Sequence, residues 1–210
     1  MTSTDDDSAF DDPAEALRVI QREQTNVERE LTPDPRLTYW PWGIAWLVGS
    51  GLLFLRYGPD GRVLVDMPDW LPLLVFSSLL IAAGVITGVV GARSGRQVTG
   101  PSSRQGTMYG FAWSAGFTGL AISFSRLSDV VPDEMQGILW GGGMAAFVGA
   151  MFMAGAAVWN DRTMFVLGAW ISVVNIVGVL FGPGWHALVV SVAGGGGLLV
   201  AGFVARARLR

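Results

Sequence analysis

This chain of 210 residues contains no cysteine, and charge of either sign is scarce. The absence of cysteine excludes disulfides, thiolate metal sites and cysteine nucleophiles. Only 15% of the residues are charged, whereas a soluble domain has about 25%. Hydrophobic residues make up 51% of the chain, and the mean hydropathy is +0.45. These shortages argue against an ordinary soluble domain and favour a membrane protein.

The charge is unevenly distributed along the chain. Residues 1–36 carry ten acids and four arginines, a net of −6, while the remainder carries seven acids and ten arginines, a net of +3. We expect residues 1–12 to be an acidic, disordered tail. Residues 13–36 predict an amphipathic cytosolic or interfacial helix, Pro13–Leu31, followed by a linker, because Leu17, Ile20, Val27 and Leu31 form one apolar seam. Packing on the body or the lipid headgroups is one interpretation of this helix, and docking or self-association is the other.

Residues 37–210 predict a bundle of six transmembrane helices. Each of six apolar runs has about the 20 residues that cross a hydrocarbon core of roughly 30 Å, and none contains an acid. The runs are 39–57, 70–91, 108–125, 135–159, 163–181 and 186–205. They are too long and too continuously apolar for the alternating strands of a barrel. The predicted fold class is therefore an all-α, polytopic membrane bundle of three helical hairpins.

Arginine placement predicts the orientation of this bundle. With a cytoplasmic amino terminus, eleven of the 14 arginines fall in inner segments, which leaves Arg56, Arg62 and Arg126 outside. Positive residues favour the cytoplasmic side. We therefore expect a cell-membrane protein with both termini in the cytoplasm.

A short aromatic phrase recurs at the start of each predicted hairpin. It reads WGIAW, YGFAW and FVLGAW, ending at Trp46, Trp113 and Trp170. The even-numbered spans carry small residues at every fourth position: Gly84, Gly88 and Ala92; Gly142, Ala146, Ala150 and Ala154; Ala193, Gly197, Ala201 and Ala205. Such ridges let helices approach closely. We expect the three tryptophans to pack against the ridges within the bundle; a dimerisation face is the alternative use of the ridges.

Two glycine runs interrupt the predicted spans. They are Gly141–Gly143 and the run Gly194, Gly195, Gly196 and Gly197. Glycine costs about 1 kcal/mol relative to alanine in a helix interior, so something should compensate. Close packing is the favoured interpretation. An unwound segment that lines a cavity, as in transporters with broken helices, is the alternative.

Few polar groups are available for chemistry inside the spans. Asn175 is the most expensive to bury, and His186 is the only histidine. For Asn175 we favour a hydrogen bond between helices over a cavity lining. For His186 we favour a structural or interfacial role over proton sensing or ligand binding. We predict no catalytic residues, no metal site and no cofactor, which leaves an enzyme the least favoured class.

The chain resembles a set of uncharacterised six-span membrane proteins of actinobacterial type. The resemblance rests on YWPWGIAW at Tyr39–Trp46, MYGFAW at Met108–Trp113, GPGWH at Gly182–His186 and the glycine run. Such proteins are labelled as transporters or permeases without an assigned substrate or catalytic residue. The resemblance therefore implies a fold and assigns a role to no residue.

Two functions follow as expectations. The first is a small transporter or permease-type component for an apolar or weakly polar molecule, because the spans contain no acid to carry protons. The alternative is a membrane-embedded interaction or sensory partner that recruits a cytosolic protein through the acidic amino-terminal segment. The lipid bilayer is the expected partner in both cases. A homo-oligomer, or a membrane or cytosolic protein partner, stays open. The acidic tail argues against binding to nucleic acid.

Overall fold

The structure, a computed structural model, describes residues 17–19, 21, 34–95 and 101–208. Residues 17–19 and 21 are helical, and the ranges 34–95 and 101–208 contain seven α-helices: α1 Pro35–Arg56, α2 Trp70–Gly95, α3 Pro101–Leu127, α4 Gly143–Trp159, α5 Arg162–Phe181, α6 Trp185–Val189 and α7 Gly196–Arg208. Short 3₁₀ turns occupy Pro59–Gly61 and Asp133–Met135. No strand occurs in the described ranges. The all-α prediction is confirmed, whereas the predicted tail at 1–12 and most of the helix Pro13–Leu31 lie outside the described residues.

Two π-helical segments lengthen the later helices. Ile138–Gly142 leads into α4, and Val190–Gly195 joins α6 to α7. The residues at both ends of each segment keep right-handed helical backbone, so the helix continues through them. We call the two continuous elements the α4 rod, Asp133–Trp159, and the α6–α7 rod, Trp185–Arg208.

Local sequence explains where several helices begin and end. The Asp34 carboxylate accepts a hydrogen bond from the Arg36 amide at 3.0 Å and caps α1, and Pro35 occupies the first turn. The predicted break at Asp34 and Pro35 is thus also the start of α1. Asn160 ends α4 with a left-handed φ of 52°. Gly182 and Gly184, with φ of 90° and 79°, form the turn between α5 and α6.

The helices form an open row in space. The order is α2, α1, the α6–α7 rod, α5, the α4 rod and α3, each packed on the next. The contact between α3 and the α4 rod is much smaller than that between α4 and α5. The three predicted hairpins are therefore packed to different degrees. The two helices of the first hairpin, α1 and α2, are in extensive contact, whereas those of the second, α3 and the α4 rod, touch much less.

Four helices are long and apolar enough to cross a membrane: Trp70–Arg93, Asp133–Trp159, Arg162–Phe181 and Trp185–Ala207. These agree with four of the six predicted spans. Helices α1 and α3, with 22 and 27 residues, are long enough but are not in this set. Aromatic residues and Pro41 lower the hydropathy of α1, and serine, threonine and glycine lower that of α3.

Glycine lets the central helices touch through their backbones. A Cβ on Gly168 of α5 would lie 2.8 Å from the Gly149 carbonyl oxygen of α4, and one on Gly195 would lie 2.6 Å from the Leu47 amide nitrogen of α1. The core at these contacts contains buried side chains from α1, the two rods and α5: Ala45, Trp46, Ala145, Leu167, Ile171, Val190 and Leu198. Close helix approach is thus concentrated in the middle of the row.

The predicted ridge packing is wrong for the second predicted span and for most of the fourth, where Gly142 is buried but the three alanines of the ridge are exposed. A Cβ on Gly84 or Gly88 of α2 would meet nothing within 4 Å among the described residues. Ala146, Ala150 and Ala154 are exposed on α4, and its buried small residues are instead Ala145, Gly149, Gly155 and Ala156. Spacing indicated that a small-residue face exists, but which face a neighbour covers depends on the position of the helix in the row.

Candidate functional site

Three helices meet at one buried polar network. Asn175 of α5 donates from Nδ2 to the carbonyl oxygen of Gly142 at 3.0 Å, and its Oδ1 lies 2.9 Å from Nε2 of His186. Since Oδ1 accepts only, the histidine must donate through Nε2–H. Both side chains are buried, with exposed fractions of 7% and 5%. The network connects the α4 rod, α5 and the α6–α7 rod, so it is a hydrogen bond between helices of the kind favoured for Asn175.

The imidazole of His186 fits between two glycines from neighbouring helices. A Cβ on Gly178 of α5 would lie 2.9 Å from its Cδ2, and one on Gly141 of the α4 rod would lie 3.1 Å from its Cε1. The first glycine run therefore provides the space for the ring. Across the described residues, no three histidine or carboxylate side chains lie close enough together to hold a metal ion. The arrangement can donate and accept hydrogen bonds, and it orients the ring rigidly.

The glycine runs are helical, widened and filled by neighbours. Each run overlaps one π-helical segment. In the second run, a Cβ on Gly194 would lie 2.9 Å from Cε3 of Trp46, a Cβ on Gly197 would collide with the indole of Trp170, and Gly196 has open space around it. In the first run, Phe124 occupies the space beside Gly143. The geometry is that of close packing, with a π-helical turn in place of the unwound segment considered as the alternative.

The three recurring tryptophans have different surroundings. Trp46 is buried against Gly194, whereas Trp170 is 45% exposed and donates from Nε1 to the carbonyl oxygen of Ala193 at 3.0 Å. Trp113 packs edge-on against Phe147 and Phe152 of α4, with ring centroids 5.7 and 6.0 Å away. The repeated phrase therefore does not produce a repeated contact.

Several hydrogen bonds between helices were not anticipated from the sequence. Tyr109 donates to the Met151 carbonyl oxygen at 2.6 Å, Ser191 donates to that of Leu47 at 2.6 Å, and Trp40 donates to that of Leu199 at 3.2 Å. The sequence could have predicted that Tyr109 and Trp40 form hydrogen bonds, because buried tyrosine and tryptophan usually find a partner for their polar atom. The identity of each acceptor required the fold.

A charged cluster lies where α1 begins and α7 ends. Arg36 donates to Asp34 from Nη2 at 2.7 Å, and Nη1 of Arg206 lies 3.9 Å from the same carboxylate oxygen. The hydrogen bonds from the Arg36 side chain and amide hold the pKa of Asp34 at about 2. The cluster joins the two helices at the middle of the row, and the pairing of Asp34 with Arg206 could not be predicted from the sequence.

No family model matches the chain, and no match was found among curated proteins or solved structures. The resemblance to six-span proteins of actinobacterial type consequently stays a prediction. The geometry alone carries the proposals that follow.

Proposed function

We propose that this chain is an integral membrane protein with six spans and with both termini in the cytoplasm. Helix α1 supports this topology, because it lies between two of the four apolar helices, α2 and the α6–α7 rod. Asp34 and Arg206 meet at one end of that pair. At the other end, a Cβ on Gly184 would lie 2.7 Å from the backbone carbon of Gly58. A helix that runs beside spanning neighbours from end to end crosses the same thickness.

Single cysteines test this topology cleanly, because the native chain has none. We expect a membrane-impermeant maleimide to label Val63→Cys and Asp129→Cys from outside intact cells. The matched Arg104→Cys should react only after the cells are opened. Labelling of Val63→Cys only after opening would overturn the orientation, and outside labelling at both Asp129→Cys and Arg104→Cys would show that α3 does not span.

Within that topology, we propose that the protein acts as a membrane-embedded interaction partner. The observation that carries this proposal is the filling of the glycine runs by Trp46, Trp170, Phe124 and His186. A translocation path needs a cavity or a wetted break at these positions, where the helices are weakest. Close packing against every glycine of the two runs except Gly196 favours a static interaction partner over a translocation path.

The acidic amino-terminal segment is the part that we propose to recruit a cytosolic protein. Residues 1–33 carry nine acids and three arginines. They join the bundle at Asp34, which is itself bonded to Arg36 and lies near Arg206 of α7. A segment of net −6 attracts a basic surface and repels an acidic one. The proposed partner is therefore a cytosolic protein with a basic docking face.

Removal of residues 1–33 separates partner recruitment from transport. We expect photo-crosslinking in native membranes to give a defined adduct with the full chain. The adduct should disappear on deletion and weaken strongly when Asp5, Asp6 and Asp7 become asparagine, while Arg104→Gln leaves it intact. Reconstituted vesicles should show no flux of glycerol or urea above empty vesicles. Flux that survives the deletion, with an unchanged adduct pattern, would overturn the proposal.

Transport of a small neutral molecule is the second candidate, and one observation favours it. Both π-helical segments coincide with glycine runs, and one of them, Ile138–Gly142, adjoins the buried His186. π-helical turns are frequent at functional sites and mark places where a helix can change register. The flux measurement above decides between the two candidates.

A further inference from the structure

An apolar groove runs along the outside of α1 and α2, starting at the charged cluster. Its walls are formed by Leu37, Trp40, Pro41 and Ile44 of α1 and by Leu79, Ala82, Ala83 and Ile86 of α2, with Asp34 and Arg36 at its mouth. The volume of the groove is about 460 Å³, within the range of about 300–1,000 Å³ that is typical of small-molecule sites. Leu37, Ile44 and Ile86 are exposed. The groove is therefore open to whatever surrounds the helices.

The depth of the groove matches one leaflet of a bilayer. Ile44 lies ten residues after Asp34 in the chain, a rise of roughly 15 Å along an α-helix. A hydrocarbon core is about 30 Å thick, so each leaflet contributes about half of that. With the charged cluster at the headgroup level, the apolar walls extend to about the middle of the membrane. An occupant with a polar head and a long apolar chain fits this geometry.

The charge at the mouth favours an anionic head. Arg36 and Arg206 share a single carboxylate, that of Asp34, so the cluster has a net charge of +1. Arg206 does not line the groove itself, but its side chain is 39% exposed beside Asp34 at the mouth. Its guanidinium can therefore donate to a phosphate oxygen. The excess positive charge favours a phosphate group.

The rim of the mouth is held rigidly. Trp40 donates from Nε1 to the Leu199 carbonyl oxygen, its ring packs on Phe203 with centroids 4.8 Å apart, and the Arg36 guanidinium lies 5.6 Å from the ring centre. The tryptophan thus ties α1 to α7 and supports the arginine side chain. Tryptophan at the headgroup level is typical of membrane interfaces. A preorganised rim loses less conformational entropy when a ligand binds.

We propose that this groove binds one anionic phospholipid of the cytoplasmic leaflet. The phosphate lies at Arg36 and Arg206, and an acyl chain lies between α1 and α2. The site is distinct from the network at His186, and it does not depend on whether the protein recruits a partner or transports a solute.

Native mass spectrometry of the full chain in detergent, titrated with phosphatidylglycerol or phosphatidylcholine, tests the site. We expect one phosphatidylglycerol to bind more tightly than the further lipids and more tightly than phosphatidylcholine. Arg36→Gln and Arg206→Gln should each weaken that binding about fivefold, the effect of one arginine beside anionic lipid. The matched variant Arg104→Gln, on α3, should change it by less than about twofold.

Two further variants keep the test decisive. Asp34→Asn keeps a good helix cap while it removes the competing carboxylate, so phosphatidylglycerol should bind more tightly. Ala82→Phe fills the exposed wall of the groove and should abolish the tight site, whereas Ala92→Phe on the same helix should not. Equal effects of Arg36→Gln and Arg104→Gln would overturn the proposal. So would a tight site that appears only after deletion of residues 1–33, because that segment would then be the occupant of the groove.

Discussion

Glycines of α2 and of the α6–α7 rod have opposite surroundings, although both sets lie within apolar helices. Around Gly84, Gly88 and Gly91 of α2, an added Cβ would meet none of the described atoms within 4 Å. Around Gly194 and Gly195 of the rod, it would meet Trp46 and the backbone of α1. The two helices flank α1, but α2 is the end of the row and the rod is inside it. Glycine permits close approach of two helices, and the position of the helix in the row decides whether it occurs.

The largest expected effect comes from replacing a glycine of the α6–α7 rod by alanine, and the same replacement on α2 is its control. In Gly195→Ala, the new Cβ would lie 2.6 Å from the Leu47 amide nitrogen and 2.8 Å from the Gly43 carbonyl oxygen. Backbone atoms cannot rotate away as a side chain can, so α1 must shift. We expect a loss of about 1–3 kcal/mol in the free energy of unfolding. Reversible unfolding in mixed micelles, followed by tryptophan fluorescence, measures it.

The matched variant is Gly88→Ala on the open face of α2. It creates no collision, and alanine favours a helix over glycine by up to about 1 kcal/mol. We therefore expect unchanged or slightly higher stability. Equal destabilisation by both variants would show that the face of Gly88 is covered, for example by a second copy of the chain, and the contrast between the two helices would fail.

A second prediction concerns the polar network beside the first glycine run. Asn175→Ala removes the donor to the Gly142 carbonyl and the acceptor for His186. Leaving buried groups of this kind unpaired costs about 1–3 kcal/mol. We expect the same unfolding measurement to show a loss in that range. Ser125→Ala is the matched control, because this serine bonds only to its own helix, at Ala121, on an exposed face.

A double-mutant cycle gives this prediction a sharper form. If His186 depends on Asn175 for its partner, Asn175→Ala and His186→Ala together should cost less than the sum of the two single changes. Contacting groups in one network couple by about 0.5–3 kcal/mol. Strict additivity would mean that the two side chains contribute independently and that the 2.9 Å contact adds nothing.

The sequence predicted which segments form helices, but it did not predict which helices pack against each other. Long acid-free runs predicted all the helices from Tyr39 onward, and α5 ends at Phe181 as expected because Gly182 adopts a positive φ. The length of an apolar run is a local property, so it can be read without the fold. Two of the six runs are helical but less apolar than the others, since tryptophan, tyrosine, serine and glycine replace aliphatic residues in α1 and α3.

The network at His186 could not be assembled from the sequence. Asn175 and His186 were identifiable singly, because polar groups in apolar helices are costly. Their meeting depends on the α4 rod lying beside both α5 and α6, and no sequence rule specifies that order. The π-helical turns could not be predicted either: both overlap glycine runs, but a glycine run by itself does not specify a wider turn.

The smallest expected effect on stability comes from the charged cluster between α1 and α7, and it depends on pH. The pKa of Asp34 is lowered to about 2, chiefly by hydrogen bonds from Arg36, while an unfolded aspartate titrates near 3.9. A lowered pKa means that the carboxylate stabilises the fold at all pH values above about 4 and loses that contribution as the pH falls towards about 2. Asp34→Asn removes this dependence but keeps the helix cap. We expect the stability difference between wild type and Asp34→Asn to be constant from pH 7 to 5 and to shrink from pH 4 to 2. A constant difference down to pH 2 would mean that Asp34 contributes as a cap alone, and α1 and α7 would then be held together by the glycine contacts without help from the charge cluster.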